Sequence, residues 1–206
     1  MKTAANGGRE RERERSMGRN KEKLEWKQNG SERLLHTPIL DVKSLDETSP
    51  EGYRGKYIAF DAPDWTLVIP AVKDPEGDDF VMVRQWRHGL GAVTSEFPGG
   101  VGEPGETPEE TAARELEEET GIRAGKITLL GSCNPNPALF SNRVYFCLAE
   151  ELDFGGALHP DTDEVITCLR VNKQEVLDSF CSGEYLHALA GTALCLYLRY
   201  IGRRAD

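Results

Sequence analysis

Residues 100–122 constrain the fold of this chain more than any other segment. They hold eight glutamates and one arginine, a local charge of −7 in a chain whose formal charge is −10. Thr107, Pro108 and Glu110 have the spacing of a helix start, with a capping hydroxyl, a proline at the first helical position and a glutamate that closes a capping box. Gly121 is a typical helix stop. The sequence therefore predicts one short helix that carries most of the net charge.

The acidic side chains are grouped on one face of this predicted helix. Glu115, Glu118 and Glu119 stand at positions i, i+3 and i+4, opposite an apolar face that includes Ala112 and Leu116. Like charges at these spacings repel one another, and a divalent cation would resolve the conflict. Carboxylates without histidine or cysteine suit Mg²⁺ or Mn²⁺ better than zinc. The helix composition alone leaves a solvated acidic face as the alternative.

The loop before the helix favours the metal-binding interpretation. Residues 97–106 contain four glycines, where the backbone can approach a ligand or a metal closely. Residues 100–122, GVGEPGETPEETAARELEEETGI, resemble the signature of the Nudix family, G-x5-E-x7-R-E-U-x-E-E-x-G-U, where U is an aliphatic residue. The sequence meets every specified position: Gly100, Glu106, Arg114, Glu115, Leu116, Glu118, Glu119, Gly121 and Ile122.

This resemblance implies a fold, a cofactor and a set of metal ligands. The fold is α+β, a mixed sheet layered between helices, and the cofactor is Mg²⁺ or Mn²⁺. In the family a loop–helix–loop holds divalent ions against a diphosphate while water attacks one phosphorus. On this sequence, Glu115 and Glu119 correspond to the principal metal ligands, Glu118 to a ligand or orienting carboxylate, and the Gly99 carbonyl to a further ligand.

The resemblance also points to the residues that support catalysis. Arg114 is expected to pair with Glu106 and brace the loop rather than touch substrate. A cation beside the metal ligands lowers their proton affinity, so a carboxylate outside that set accepts a proton from water more readily. The pyrophosphatases that this chain resembles supply such a carboxylate from a mobile loop late in the domain. The candidates for the general base are Glu164, then Asp163, with Glu118 as the rival on the helix.

Two further segments are similar to the ADP-ribose pyrophosphatase subfamily. Residues 83–87 read Val-Arg-Gln-Trp-Arg, and residues 95–100 read Ser-Glu-Phe-Pro-Gly-Gly. Pro137 lies near the position of a marker proline of that subfamily, although Pro135 is close to it. The resemblance implies hydrolysis of a nucleoside diphosphate linked to another group, with ADP-ribose giving AMP and ribose 5-phosphate. Another nucleotide sugar, such as GDP-mannose, is the nearest alternative.

The candidate substrate-binding residues each have a structural alternative. Arg87 could bind a phosphate or the terminal ribose, or it could form a salt bridge. Trp65 could stack on a base or pack in the core. The remaining candidates are Glu96 and Pro137.

Two other functional classes stay open. A Nudix module could sense a nucleotide without cutting it, but such a module is expected to lose one of the core glutamates, and none is lost here. A Nudix hydrolase could instead act on a dinucleoside polyphosphate or an oxidised nucleoside triphosphate.

The rest of the chain predicts one domain with appended elements. Residues 1–24 are charged and read as a disordered tail, residues 25–56 as an N-terminal strand element and possible dimer arm, and residues 57–206 as the Nudix domain. Strand-type runs fall at 39–42, 57–60, 66–72, 80–84, 127–133, 144–149 and 164–171, and helical patterns at 173–182 and 185–200.

Composition restricts the partners and the compartment. A pI near 5.0 disfavours nucleic acid as the main partner. Five cysteines without paired C-x-x-C spacing are expected to be free thiols. The N-terminal residues contain no apolar signal region, and no apolar run is long enough to cross a membrane. We therefore expect a cytoplasmic protein with no nucleic-acid or membrane partner. The resemblance to the ADP-ribose pyrophosphatases further implies a homodimer that binds a small-molecule nucleotide.

Overall fold

The computed structural model describes residues 23–74, 77–156 and 165–204. Most of the expected charged tail lies outside these residues, as do two candidates for the general base, Asp163 and Glu164. The described residues form two compact units. The first contains residues 23–62 and 138–141, and the second contains residues 63–74, 77–137, 142–156 and 165–204.

The first unit is a three-stranded antiparallel sheet with its second strand in the centre. Its strands are β1 (Lys27–His36), β2 (Asp41–Thr48) and β3 (Arg54–Asp61). The first predicted strand begins at residue 39, so β1 lies outside the predicted strands, because its residues lack a regular apolar alternation. The sheet continues past residue 56, the predicted end of this element. The Phe60 amide donates to the Leu139 carbonyl at 2.7 Å, which joins residues 138–141 to this unit.

The second unit contains a seven-stranded sheet with the path β10-β5-β4-β9-β8, to which β6 adds beside β5 and β7 beside β4. Its strands are β4 (Trp65–Asp74), β5 (Gly77–Arg87), β6 (Ala92–Glu96), β7 (Gly99–Val101), β8 (Arg123–Cys133), β9 (Val144–Asp153) and β10 (Thr167–Asn172). β4 and β9 are parallel, whereas the other neighbouring pairs are antiparallel. The sheet is therefore mixed, and the predicted β4–β5 hairpin is confirmed.

Three helices are described in the second unit: α1 (Pro108–Thr120), α2 (Lys173–Ser179) and α3 (Ala188–Arg204). α1 begins at the predicted capping box of Thr107 and ends at Gly121, whose backbone is in the left-handed conformation with a φ of 69°. α2 ends before the predicted residue 182, and α3 begins after the predicted residue 185. The reason is a turn between them, in which the Tyr185 amide donates to the Ser182 carbonyl at 2.9 Å.

Alternation along the central strands separates two apolar cores. Leu67 and Ile69 of β4 belong to the core on the side of α2 and α3, which also contains Tyr197. Val68 of the same strand belongs to the second core and packs with Leu116 of α1. Successive strand residues point to opposite faces, so one strand supplies both cores. The helices cover both faces of the sheet, which confirms the predicted α-β-α layering.

Two expectations about the whole chain can be compared with the structure. All five cysteines lie in the described residues and are free, as predicted. Within that same part of the chain, no helix combines the length and apolarity that a membrane span requires.

Candidate active site

The glycine loop before α1 is held against β4. Gly99 pairs with Leu67, and the Val68 amide donates to the Pro98 carbonyl at 2.9 Å. Gly99 has a φ of 155°, and a Cβ atom there would lie 2.2 Å from the carbonyl oxygen of Thr66. Only glycine allows the two backbones to approach this closely. The loop position is therefore fixed by the central sheet.

Two carboxylates from α1 meet this loop. The Glu119 carboxylate is 3% exposed, and its Oε2 accepts a hydrogen bond from the Gly99 amide at 3.0 Å. The Glu115 carboxylate packs beside Gly100, where a Cβ atom would lie 2.5 Å from Oε1. Residues four apart stand one above the other on a helix, so both carboxylates reach the same stretch of backbone.

Arg114 ties the loop and the helix together. Its Nε and Nη2 donate to the two oxygens of Glu106 at 3.0 and 3.1 Å, and Nη2 also donates to the Val101 carbonyl at 3.0 Å. Its Nη1 donates to Glu115 at 2.8 Å and to Glu118 at 2.9 Å. The predicted pairing of Arg114 with Glu106 is present.

These contacts shift the pKa values of Glu106 and Arg114. The Arg114 guanidinium and the Glu103 amide lower the pKa of Glu106 to about 2. The bonds from Glu106 and Glu115 raise the pKa of Arg114 above its ordinary value. Both groups are therefore charged near neutral pH.

The potential metal-ligand atoms of this region suit a hard divalent cation. Glu115, Glu118 and Glu119 offer only carboxylate oxygens, and Gly100 leaves the space beside Glu115 free of any side chain. Among the described ranges, no three or more His, Cys, Asp or Glu side chains form a ready metal cage. Arg114 instead occupies oxygens of Glu115 and Glu118. A cation would have to compete with this arginine for the carboxylates.

A second cluster is built on the β5–β6 hairpin. Val83 pairs with Glu96 and Arg87 with Ala92, so Arg87 and Glu96 share one face of the two strands. Arg87 donates from Nε to Glu96 Oε1 at 2.9 Å and from Nη2 to Oε2 at 2.7 Å. The Thr94 hydroxyl also donates to Oε1. Glu96 is 1% exposed.

The buried carboxylate is kept ionised by its neighbours. Burial acts to raise the pKa of Glu96, but the hydrogen bonds from Arg87 and Thr94, together with the charge of Arg87, lower it. The predicted salt-bridge alternative for Arg87 is thus present. It holds one edge of the guanidinium, through Nε and Nη2, while the arginine side chain is still 43% exposed.

The segment before α3 closes this cluster, and no sequence pattern predicts that contact. The Ser95 amide donates to the Glu184 carbonyl at 2.9 Å, and Glu184 Oε2 accepts from Arg84 Nε at 2.6 Å and from Ser95 Oγ at 3.0 Å. His187 Nδ1 lies 3.2 Å from Glu96 Oε2. The only available sequence signal was the Gly89–Gly91 turn, which would have predicted the hairpin but not its contact with residues 184–187.

The other candidate residues lie elsewhere. Trp65 begins β4 and is partly buried against the core on the α3 side. Pro137 is exposed in the loop after β8, and Pro135 is partly buried there. Asp163 and Glu164 lie outside the described residues. The structure thus brings Gly99 together with Glu119, Gly100 together with Glu115, and Arg87 together with Glu96.

A model of the NUDIX domain matches residues 64–184, more than half of the chain. The chain belongs to the Nudix family. It is 34% identical over 172 residues to an ADP-ribose pyrophosphatase of Bacillus subtilis (strain 168), covering 83% of this chain and 91% of that protein. It is 24% identical over 172 residues to the ADP compounds hydrolase NudE of Escherichia coli (strain K12), covering 82% and 90%.

The fold agrees with this Nudix assignment. A crystal structure of an ADP compounds hydrolase superimposes with a TM-score of 0.77 at 23% identity, covering 87% of this chain and 96% of that chain. The predicted fold class is confirmed, and the protein is a Nudix hydrolase. The loop at Gly99 and the acidic face of α1 lie inside the matched domain.

Proposed function

We propose that this Nudix hydrolase cleaves the diphosphate of an ADP-linked substrate, and that ADP-ribose is converted to AMP and ribose 5-phosphate. The observation that carries the proposal is the 34% identity with the Bacillus subtilis ADP-ribose pyrophosphatase, which extends over 83% of this chain. The Arg87–Glu96 pair supports it, because a buried carboxylate holds a partly exposed guanidinium that can bind a phosphate.

Glu115 and Glu119 would hold Mg²⁺ or Mn²⁺, with Glu118 and the Gly99 carbonyl as further ligands. A bound divalent cation supplies charge neutralisation at the diphosphate and makes water more acidic. Glu119 is already fixed by the Gly99 amide, so its carboxylate needs little reorganisation. Arg114 holds Glu106 and the Val101 carbonyl, and so keeps the loop beside the helix.

The general base is a separate part of the proposal. Glu164 or Asp163, from the acidic stretch of sequence that precedes β10 and lies outside the described residues, would accept the proton of the attacking water. Glu118 is the alternative, although its Oε2 already accepts a hydrogen bond from Arg114 Nη1 at 2.9 Å. Single amide substitutions at the three positions separate these choices. A loss of roughly 10²-fold in kcat at one loop position, with metal affinity unchanged, supports a loop base. Loss at Glu118 alone assigns the base to the helix.

A substrate panel with Mg²⁺ tests the function itself. The panel contains ADP-ribose, GDP-mannose, a dinucleoside polyphosphate and an oxidised nucleoside triphosphate, with products separated by anion-exchange chromatography. We expect AMP and ribose 5-phosphate from ADP-ribose and no turnover in excess chelator. Release of inorganic pyrophosphate from triphosphates as the preferred reaction would place the enzyme in another branch. Binding of ADP-ribose without cleavage of any panel member would indicate a sensing module.

We also propose that the first unit mediates a homodimer. All ten residues of β1 are exposed, and apolar side chains of the sheet, among them Leu35 and Ile58, are 55% and 47% exposed. A small sheet with uncovered apolar residues on its surface needs a partner to bury them.

Light scattering at micromolar concentration measures the oligomeric state. The unaltered chain should have a dimer mass, and the double variant Leu35→Ser with Ile58→Ser should have a monomer mass. Lys56→Ser, a change of an exposed polar residue on the same strand as Ile58, is the control and should leave the dimer intact. A monomer mass for the unaltered chain refutes this proposal.

A further inference from the structure

Three side chains, Arg87, Thr94 and His187, surround the Glu96 carboxylate, and its two oxygens have different neighbours. Oε1 accepts from Arg87 Nε and from the Thr94 hydroxyl. Oε2 accepts from Arg87 Nη2 and faces His187 Nδ1 at 3.2 Å. One neighbour other than the arginine therefore stands beside each oxygen. Thr94 and His187 together restrict rotation of the Glu96 carboxylate. Because the guanidinium of Arg87 binds the carboxylate through two parallel hydrogen bonds, the orientation of the carboxylate also sets the orientation of the guanidinium.

The His187 ring is directed inward. Its side chain is 30% exposed, but Nδ1 itself is shielded from solvent and makes no aligned hydrogen bond within the described residues. A lone pair on Nδ1 would face the negative carboxylate of Glu96, so electrostatics favours the tautomer with the proton on Nδ1. Burial lowers the pKa of His187, and a neutral ring with an N–H directed at Glu96 is consistent with that shift.

The backbone that carries His187 is anchored next to Glu96. Glu184 accepts a hydrogen bond from the Ser95 amide with its carbonyl and binds Arg84 and the Ser95 hydroxyl with its side chain. The His187 carbonyl accepts from the Ala190 amide at 3.0 Å in the first turn of α3. The ring is therefore held between a strand and a helix rather than on a free loop, as a precise supporting residue requires.

We propose that His187 is a positioning residue for substrate binding, which acts through Glu96 to fix the direction in which Arg87 presents its guanidinium to a substrate phosphate. The inference rests on the proposed function, because it takes Arg87 as a phosphate-binding residue. It adds a residue that lies 91 positions beyond Glu96 and outside the residues 64–184 matched by the domain model.

Steady-state kinetics with ADP-ribose and Mg²⁺ provide the first test. His187→Leu removes the N–H, and we expect KM to rise about 10-fold while kcat changes by less than about twofold. His187→Asn places an amide N–H near the position of Nδ1 and should restore KM to within about twofold of the unaltered enzyme. In an Arg87→Lys background, His187→Leu should add no further rise in KM, because its effect passes through the arginine.

Glu184→Gln is the matched control, since it weakens an ion pair of the same segment without touching Glu96. It should leave KM unchanged, and thermal melting of every variant should report a folded protein. An equal rise in KM for Glu184→Gln would assign the effect to the segment and overturn the role of His187. An unchanged KM in folded His187→Leu, or a failure of His187→Asn to restore it, would also overturn the inference.

A second readout does not need activity. The Nε–H resonance of Arg87, recorded by NMR without substrate or metal, should move in His187→Leu, return in His187→Asn and stay in place in Glu184→Gln. If the enzyme does not cleave ADP-ribose but these shifts occur, the proposed function fails and the coupling of His187 to Arg87 stands. If ADP-ribose is cleaved and the Arg87 resonance and KM do not respond, only this inference fails.

Discussion

The acidic loop–helix and the Arg87 cluster lie in the same unit but are assembled differently. In the loop–helix, partners such as Gly99 and Glu119 are 20 residues apart, and Arg114 and Glu106 are 8 apart. In the second cluster, Arg84 and Ser95 meet Glu184 at separations of 100 and 89 residues. The first region is therefore formed by local structure, whereas the second requires the complete fold.

Charge balance also distinguishes the two regions. Arg114 is shared among Glu106, Glu115 and Glu118, so one cation contacts three anions. In the second region Arg87 is matched by Glu96 and Arg84 by Glu184. An added cation stabilises a region with excess negative charge, whereas a region in which each anion already has its own cation gains little from another. We therefore expect changes in the first region to affect turnover and metal dependence, and changes to the Arg87–Glu96 pair of the second region to affect substrate affinity.

The largest effect is expected for Glu119→Gln. This change removes the charge of a buried carboxylate proposed to hold metal, and kcat should fall on the order of 10²- to 10³-fold in saturating Mg²⁺. Glu117→Gln, on the same helix but paired with Arg123, is the control and should retain turnover. Circular dichroism verifies that both variants are folded. Normal turnover in Glu119→Gln would show that the carboxylate of Glu119 is not required for catalysis.

Arg87→Lys tests the balanced region. A lysine keeps the charge but loses the two-point contact with Glu96, so KM for ADP-ribose should rise about 10-fold with a smaller change in kcat. Initial rates over a range of substrate concentrations separate the two parameters. Lys126→Arg, at an exposed pair with Glu150, is a control that should change neither. A fall in kcat at constant KM would contradict the division between the two regions.

Arg114→Ala tests whether a cation can replace the arginine. It leaves Glu106, Glu115 and Glu118 without their shared guanidinium, and the free energy of unfolding should fall by about 1–3 kcal/mol. Urea unfolding without metal measures the loss. Adding Mg²⁺ should recover more stability in the variant than in the unaltered protein, because Mg²⁺ no longer competes with an arginine for the carboxylates. Equal Mg²⁺ effects in both proteins would contradict this expectation.

The smallest effect concerns acid pH. The folded pKa of Glu106 is about 2, below its ordinary value of 4.5. Its contribution to stability is therefore complete above about 4.5 and is lost as pH falls towards 2. The stability difference between the unaltered protein and Glu106→Gln, measured by urea unfolding, should shrink over this window. Glu103→Gln, at an exposed position of the same loop, provides the comparison. A constant difference for Glu106→Gln across this window would show that its ionisation is not linked to folding.

Much of the fold could be predicted from local patterns. The caps of α1, the β4–β5 hairpin and the two layers of helices follow from capping residues, turn residues and apolar periodicity. β1, β6 and β7 were missed, because β1 has no apolar alternation and β6 and β7 are only five and three residues long. The ends of α2 and α3 were displaced by a turn that tertiary contacts stabilise.

The sequence by itself determined the acidic site, because Gly99, Arg114, Glu115 and Glu119 are brought together by one loop and one helix. Helical periodicity alone places Glu115 and Glu119 on one face, and the capping box fixes where that helix begins. Only the tertiary structure decided that Glu96 is buried and that His187 faces it. Strand register and the docking of α3 determine that contact, and neither is encoded in the spacing of nearby residues.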